Sequence, residues 1–186
     1  MAENIEKVGQ SGEIIFSDKI RNFMLNTAKI FSDISTLKQF LVKNRPGYKV
    51  VATSGGFDPL HKGHLRCIQG CSTYGNAVVV IVNGDGFLVR KKGKPFMVLD
   101  ERMEIIAGLI GVDFVVPWDD GTQTVEGAIR LLKPDFFAKG GDRDHPDKIP
   151  EWAACQEVNC EIIFGVGGDK IQSSSNLLNS YQDASI

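Results

Sequence analysis

The sequence predicts an α/β protein with a doubly wound, mostly parallel five-stranded sheet and an added N-terminal helical segment. Short apolar runs rich in β-branched residues alternate with stretches of helical character, which is the pattern of successive βαβ units. The run Val78–Val82 is apolar at every position, as expected of a strand that helices cover on both faces. A length of 186 residues suits one well-buried core.

Five runs are predicted as strands: Lys49–Ala52, Ala77–Val82, Phe114–Val116, Phe136–Ala138 and Ile162–Phe164. Helices are predicted between and after them, over Leu65–Tyr74, Asp100–Leu109, Thr124–Leu132, Pro150–Val158 and Ser173–Tyr181. In such a sheet, ligands bind at the carboxyl ends of strands, near the point where the strand order reverses. We therefore expect function in the loops that follow strands, residues 53–64, 83–98, 139–149 and 165–173.

The N-terminal segment follows a different pattern. Mostly apolar side chains recur at helical spacing in two places, at Ile20, Phe23, Met24, Thr27, Ile30 and Phe31 and again at Leu37, Phe40 and Leu41. We predict two short amphipathic helices that end near Arg45-Pro46-Gly47. Residues 1–45 are thus expected to form a helical extension of a domain over residues 46–186, and to pack on that domain or on a partner subunit.

Composition narrows the class of protein. A formal net charge of −2 gives no support for a general nucleic-acid binder. The polar start, with Glu3 and Glu6, lacks the basic and apolar regions of a signal peptide, and no apolar run is long enough to cross a bilayer. We therefore expect a cytoplasmic protein that binds neither nucleic acid nor membrane. The four cysteines form no C-x-x-C pair and are expected to be reduced thiols.

The segment from Ser54 to Leu65 is the strongest candidate for chemistry. Gly55 and Gly56 follow the first predicted strand of the sheet, and His61 and His64 lie one helical turn apart at a helix start. Glycines allow positive φ and close approach to a ligand, and a helix start attracts anions. The segment matches neither a Walker P-loop nor a dinucleotide fingerprint. A phosphate-binding turn, an H-x-x-H metal pair and a plain strand–helix turn all fit these residues.

Two motifs in this segment resemble a known signature. Gly56-Phe57-Asp58 and His61-Lys62-Gly63-His64 are similar to the G-x-F-D and H-x-G-H motifs of the nucleotidylyltransferase superfamily. The resemblance runs from about Lys49 to Leu178, and within the superfamily it is closest to adenylyltransferases that act on heptose 1-phosphate and to glycerol-3-phosphate cytidylyltransferase. It implies a Rossmann-like fold, a nucleotidyltransferase that uses ATP or CTP with a phosphorylated small-molecule acceptor, Mg²⁺ bound with the triphosphate, and a homodimer.

Five further segments agree with this resemblance. Val82-Asn83-Gly84-Asp85 resembles the ending of the family's second strand, and the K-G-K step places Lys92 and Lys94 in its phosphate-binding loop. Arg102 follows a helix start like the family's E-R motif. Lys139-Gly140-Gly141-Asp142 closely resembles the K-G-G-D of the heptose enzymes, and Ser173-Ser174-Ser175 resembles their serine- and threonine-rich last helix start. Glycine at position 168 replaces the arginine of glycerol-3-phosphate cytidylyltransferases, which favours ATP over CTP.

The resemblance assigns roles residue by residue. The residues expected to act in catalysis are His61, His64 and Lys92. Those expected to bind nucleotide are Gly55, Gly56, Phe57, Asp58, His61, His64, Lys139, Gly140, Asp142, Ser173, Ser174 and Ser175. Those expected to bind the acceptor substrate are Lys92, Lys94, Asp85 and Arg102, and no metal site formed by the protein alone is expected. CTP with a polyol or amino-alcohol phosphate, and a non-catalytic nucleotide sensor, remain the alternatives.

Overall fold

The computed structural model describes residues 5–8, 14–16, 28–141, 145 and 149–183. Its centre is a six-stranded parallel sheet with the strand order β3-β6-β5-β4-β7-β8. The strands are β3 (Lys29–Ile30), β4 (Val50–Gly55), β5 (Ala77–Asn83), β6 (Phe114–Trp118), β7 (Phe136–Ala138) and β8 (Glu161–Ile163). The order reverses between β4 and β7, and this reversal marks the ligand-binding edge of doubly wound sheets.

Helices cover both faces of the sheet. They are α1 (Ile34–Asn44), α2 (Lys62–Cys71), α3 (Asp85–Lys92), α4 (Leu99–Ala107), α5 (Glu126–Leu132), α6 (Trp152–Glu157) and α7 (Ser174–Asp183). One core cluster joins α1, α5 and α6 to one face, and the other joins α2 and α4 to the opposite face. All seven residues of β5 are buried between them, which confirms the doubly wound, parallel architecture.

The five predicted strands are present, but the sheet has a sixth that the sequence analysis missed. Lys29–Ile30 pairs in parallel with the start of β6 and forms one edge of the sheet. A strand of two residues carries no recognisable period, and Ile30 also fits the helical spacing of its neighbours. A second difference is α3, which lies within the predicted loop 83–98.

The prediction of a helical N-terminal extension requires correction. Helix α1 forms as predicted, and Asp33 caps it by accepting a hydrogen bond from the Thr36 amide at 2.8 Å. Its buried residues Ile34, Leu37 and Leu41 belong to the core of the sheet domain, so this helix packs on the main domain. Residues 5–8 and 14–16 are not helical but form an antiparallel pair of strands, β1 and β2. The first predicted helix, over residues 20–31, lies outside the described residues as far as residue 27, and its remaining part is not helical, because Lys29–Ile30 form strand β3.

A buried arginine connects the strand ends on which the functional loops begin. Arg102 on α4 is 1% exposed. One guanidinium nitrogen donates to the carbonyl oxygens of Gly56 and Asn83, at 2.8 and 2.7 Å. The other nitrogens donate to the Met97 carbonyl at 3.0 Å and to the Asp85 carboxylate at 2.6 Å. Arg102 therefore joins the ends of β4 and β5 to the loop that precedes α4.

No helix among the described residues combines the length and apolar character needed to span a bilayer.

We predict that Arg102→Met lowers the free energy of unfolding by about 3–5 kcal/mol, because the buried carbonyl oxygens of Gly56 and Asn83 lose their donor and Asp85 loses its partner. Urea denaturation measures this difference. The matched control is Arg66→Met on α2, where the arginine is exposed, and we expect a change within about 0.5 kcal/mol there. Equal stability of the two variants would contradict the structural role of Arg102.

Candidate active site

A cavity of about 340 Å³ opens at the carboxyl edge of the sheet, where the strand order reverses between β4 and β7. Its walls are the turn after β4, the start of α2, the end of α3, the turn after β7 and the segment that leads into α7. The predicted residues that line it are Gly55, Gly56, Phe57, Asp58, His61, His64, Lys92, Lys139, Gly140, Ser173, Ser174 and Ser175. Four separate loops of the sequence thus meet at one cavity.

His61 caps helix α2 with its side chain. Its Nδ1 accepts hydrogen bonds from the backbone amides of Gly63 and His64, at 3.1 and 3.4 Å. An accepting Nδ1 carries no proton, so the proton of the neutral ring lies on Nε2. Burial lowers the pKa of His61, which favours this neutral form. The capping contact therefore sets both the tautomer and the orientation of the ring.

His64 stacks on His61, with ring centroids 3.7 Å apart and an interplanar angle of 19°. Phe57 contacts it edge-on, with centroids 5.0 Å apart. Burial, and then the neighbouring His61, lower the pKa of His64 to about 4. Its Nδ1 is buried with no hydrogen-bond partner, so a proton placed there would be a buried donor without an acceptor, which costs free energy. The proton of His64 is therefore assigned to Nε2, as in His61.

The glycines around these rings lie where little space is left for a side chain. A Cβ on Gly56 would lie 2.8 Å from Leu88 Cδ2, and one on Gly63 would lie 3.1 Å from the His61 ring. Neither Gly55 nor Gly56 uses the positive φ that glycine allows, and the residue with positive φ in this turn is Phe57, at 50°. Close packing against Phe57 and Leu88 explains why the two positions are glycine.

Asp58 joins the turn after β4 to the loop after α3. Its carboxylate is 2% exposed and accepts hydrogen bonds from Lys92 Nζ at 2.5 Å and from the amides of Phe96 and Met97, at 2.8 and 2.7 Å. Burial alone would raise the pKa of Asp58, but these hydrogen bonds hold it below its ordinary value. Asp58 is therefore an ionised anchor that fixes Lys92 at the cavity wall.

The turn after β7 approaches the cavity through its glycines. A Cβ on Gly140 would lie 3.1 Å from both Cys67 Sγ and the Val166 carbonyl oxygen. Gly141 adopts φ 67°, in the region that side chains disfavour. At Gly140 and Gly141 the predicted K-G-G turn thus presents only backbone atoms between α2 and the loop after β8.

The serine-rich segment begins α7, but its hydroxyls have different partners. Ser173 Oγ accepts from the Asn176 amide at 3.1 Å, whereas Ser174 Oγ donates to the Pro59 carbonyl at 2.9 Å. The second contact holds the start of α7 against the histidine turn. All three serines line the cavity together with the first amides of α7.

Three predicted residues do not line the cavity. Arg102 and Asp85 are used in the buried network between strand ends, where Asp85 also accepts from the Leu99 amide at 3.2 Å at the start of α4. Lys94 lies beyond α3 and outside the cavity wall. Asp142 lies outside the described residues.

Other lining residues were missed by the sequence analysis. Lys91 lies beside Lys92 at the end of α3, and Cys67 lies one helical turn beyond His64 on α2. Thr53 donates from its hydroxyl to the Ala138 carbonyl at 3.1 Å and so bridges β4 and β7 at the cavity floor. The spacing of Cys67 from His64 was a usable signal, because residues three apart share a helix face.

Residues 52–175 match the family model described as cytidylyltransferase-like. The match includes every residue that lines the cavity, from Thr53 to Ser175. The chain belongs to the cytidylyltransferase-like family. The predicted class, a nucleotidyltransferase with a Rossmann-like fold, is thereby confirmed.

Two curated relatives illustrate the similarity. The chain is 44% identical over 159 residues to the bifunctional protein HldE of Blochmanniella pennsylvanica, a match that covers 80% of this chain and 31% of that protein. It is 37% identical over 125 residues to HldE of Hahella chejuensis, covering 66% of this chain and 24% of that protein. The chain spans about a third or less of the length of these relatives.

Solved structures show the same fold. A lipopolysaccharide core biosynthesis protein from Thermoplasma volcanium superposes with a TM-score of 0.52 at 26% identity, covering 63% of this chain and 96% of that one. Pantoate-beta-alanine ligase from Francisella tularensis superposes with a TM-score of 0.60 at 15% identity, covering 82% and 73%. The second likeness concerns the fold alone.

We predict that His64 makes the protein acid-sensitive. Because the pKa of His64 is about 4 in the folded state against its ordinary value of 6.5, the unfolded chain takes up a proton first as the pH falls. The contribution of His64 to the free energy of unfolding is therefore fully present above about pH 6.5. It is lost as the pH falls towards 4, and this loss amounts to up to about 3 kcal/mol. Urea denaturation across this range should show a shallower loss for His64→Asn than for the wild type. Gln69→Ala, exposed on the same helix, should retain the wild-type slope, and an identical slope for His64→Asn would refute the assignment.

Proposed function

We propose that this chain transfers a nucleoside monophosphate, with AMP favoured, from a nucleoside triphosphate to a phosphorylated small molecule such as a sugar phosphate, releasing pyrophosphate. The observation that carries this proposal is the stacked pair His61 and His64, which lines the same cavity as the glycine turn after β7 and the start of α7. Family membership supports the reaction class.

The reaction requires no covalent intermediate with the protein. A phosphate oxygen of the acceptor attacks the α-phosphorus, a new P–O bond forms, and the bond from the α-phosphorus to the bridging oxygen breaks. Pyrophosphate leaves with that electron pair. The chain must hold two anions together, align them and stabilise the charge that develops in the transition state.

The two imidazoles suit that task. Each presents an Nε2–H donor while remaining neutral, because Nδ1 is capped in His61 and buried in His64. A donor fixed by packing needs no reorganisation when negative charge grows on the α-phosphate oxygens.

Other groups of the cavity would hold the acceptor phosphate and the β- and γ-phosphates of the nucleotide. Lys92 is directed by Asp58, and Lys91 lies beside it. The first turn of α7 would bind the β- and γ-phosphates with its amides and the Ser175 hydroxyl. Mg²⁺ bound with the triphosphate would neutralise phosphate charge. Both Asp58 oxygens are engaged by protein donors, so phosphate oxygens would supply most of its ligands.

Two features favour ATP and a sugar phosphate. Gly168 adopts φ 84° at the cavity wall, a conformation that residues with a side chain rarely adopt. The arginine of the cytidylyltransferases that use glycerol phosphate would therefore be strained at this position. The glycine turn after β7 resembles that of the heptose enzymes, and one structural relative is a lipopolysaccharide core biosynthesis protein.

A matrix of four nucleoside triphosphates against phosphorylated acceptors, read by pyrophosphate release, tests the proposal. We expect the highest turnover with ATP and a sugar 1-phosphate. Highest turnover with CTP and a polyol or amino-alcohol phosphate would establish the cytidylyltransferase alternative. Nucleotide binding by calorimetry without pyrophosphate release from any pair would instead identify a sensor.

We predict that His64→Ala lowers kcat by about 10²–10³ with the best substrate pair, as the loss of one oxyanion-type donor does. Gln69→Ala on the same helix is the control and should keep wild-type turnover. Steady-state pyrophosphate release measures both variants. A His64→Ala enzyme with near-complete turnover would exclude a catalytic role for this residue.

We predict that Lys92→Met lowers kcat/KM by about 10²-fold, because a directed cation beside the phosphates is lost. Lys43→Met is the matched control, since Lys43 is exposed in the last turn of α1 as Lys92 lies in the last turn of α3. Steady-state kinetics with the acceptor varied at saturating nucleotide measures the difference. Similar values for both variants would remove Lys92 from the site.

A further inference from the structure

Glu151 stands immediately before α6 and faces a cavity residue. Its Oε2 lies 3.1 Å from Nζ of Lys139, and the two side chains are only 8% and 12% exposed. The Lys139 ammonium also lies 4.3 Å from the centroid of the Phe137 ring. Nothing in the sequence motifs pointed to Glu151, because it lies ten positions after Gly141, the last residue of the K-G-G turn.

The ion pair holds the first residue of the glycine turn. The Lys139 amide donates to the Ile163 carbonyl at 2.9 Å, and the Lys139 carbonyl accepts from the Val166 amide at 3.0 Å. The main chain of Lys139 is thus fixed to the β8 side, and its side chain is held by charge attraction to Glu151 at the start of α6, without an aligned hydrogen bond. Gly140 directly follows Lys139 in the chain and lines the cavity.

The ion pair of Glu151 and Lys139 is better suited to positioning the Lys139 side chain than to stabilising the fold. Removing two charges from water costs about as much as their attraction returns, so a buried ion pair is a poor source of net stability. A carboxylate and an ammonium do, however, fix the direction of a long, flexible side chain. Small displacements of a binding turn are costly, since a shift of about 1 Å can reduce activity by about 10².

We propose that Glu151 is a positioning residue that acts through Lys139 to hold the K-G-G turn in its nucleotide-binding geometry. The proposal rests on the proposed function only in taking this cavity as the nucleotide site. It assigns the effect of Glu151 to the nucleotide and not to the acceptor, which we expect on the α3 side of the cavity near Lys92.

Calorimetric titration with ATP and magnesium chloride, without acceptor, tests this on Glu151→Gln, Lys139→Met and the double variant. We expect each single variant to bind ATP about tenfold more weakly or worse. The double variant should be no weaker than the poorer single variant, because one contact is lost in all three. Glu157→Gln is the control, as this glutamate on the same helix is exposed and pairs with Arg130.

Kinetics separate positioning from a general loss of structure. For Glu151→Gln we expect a raised KM for ATP, with the KM for the acceptor and kcat within about twofold of the wild type. Glu151→Asp keeps the charge but shortens the reach, so it should lose less affinity than Glu151→Gln, and it serves as the test variant if Glu151→Gln does not fold.

Three results would overturn the inference: additive losses in the double variant, wild-type ATP affinity in Glu151→Gln, or an equal rise in both KM values. Failure of the proposed function has a different signature. The wild type would then bind ATP and release no pyrophosphate with any acceptor, while the binding comparison still decides the role of Glu151. A wild type that binds neither ATP nor CTP would count against both.

Discussion

The site depends on a single buried guanidinium. Arg102 reaches from α4 to the carbonyl oxygens at the ends of β4 and β5, and its remaining donors hold Met97 and Asp85. Strand ends leave carbonyl groups without ladder partners, and burying such groups unpaired is costly. By pairing them, Arg102 allows two functional loops to start from fixed positions. Asp85, the ion-pair partner of Arg102, also accepts a hydrogen bond from the first amide of α4.

Asp58 extends this framework from the backbone to the charges of the cavity. It accepts hydrogen bonds from Lys92 and from two amides of the loop after α3, so the turn that precedes His61 is tied to the lysine. The histidines themselves are kept neutral by burial and directed by the helix cap. Contacts within the chain therefore organise the cavity, and the proposed catalysis by electrostatic stabilisation requires this kind of preorganisation.

Individual residues show how far sequence reasoning reached. The strands from β4 to β8 were predictable because each is a short apolar run bounded by turn residues. The pair Lys29–Ile30 was not, since two residues have no period and only pairing with Phe114 and Val115 makes them a strand. Helix α3 was missed because its sequence is polar and basic at one end and contains Gly86. Its buried residues Phe87 and Leu88 are held by tertiary packing that local propensity does not encode.

The sequence by itself determined the fold class, the family motifs and twelve of the residues that line the cavity, because hydrophobic period and motif spacing are local properties of the chain. Tertiary structure decided which charged residues face the cavity and which support it. Arg102 and Asp85 belong to the framework, Lys92 is bound to Asp58, and Glu151 reaches Lys139 across a loop. These roles depend on burial and on contacts between residues distant in sequence, and such contacts exist only after the sheet has formed.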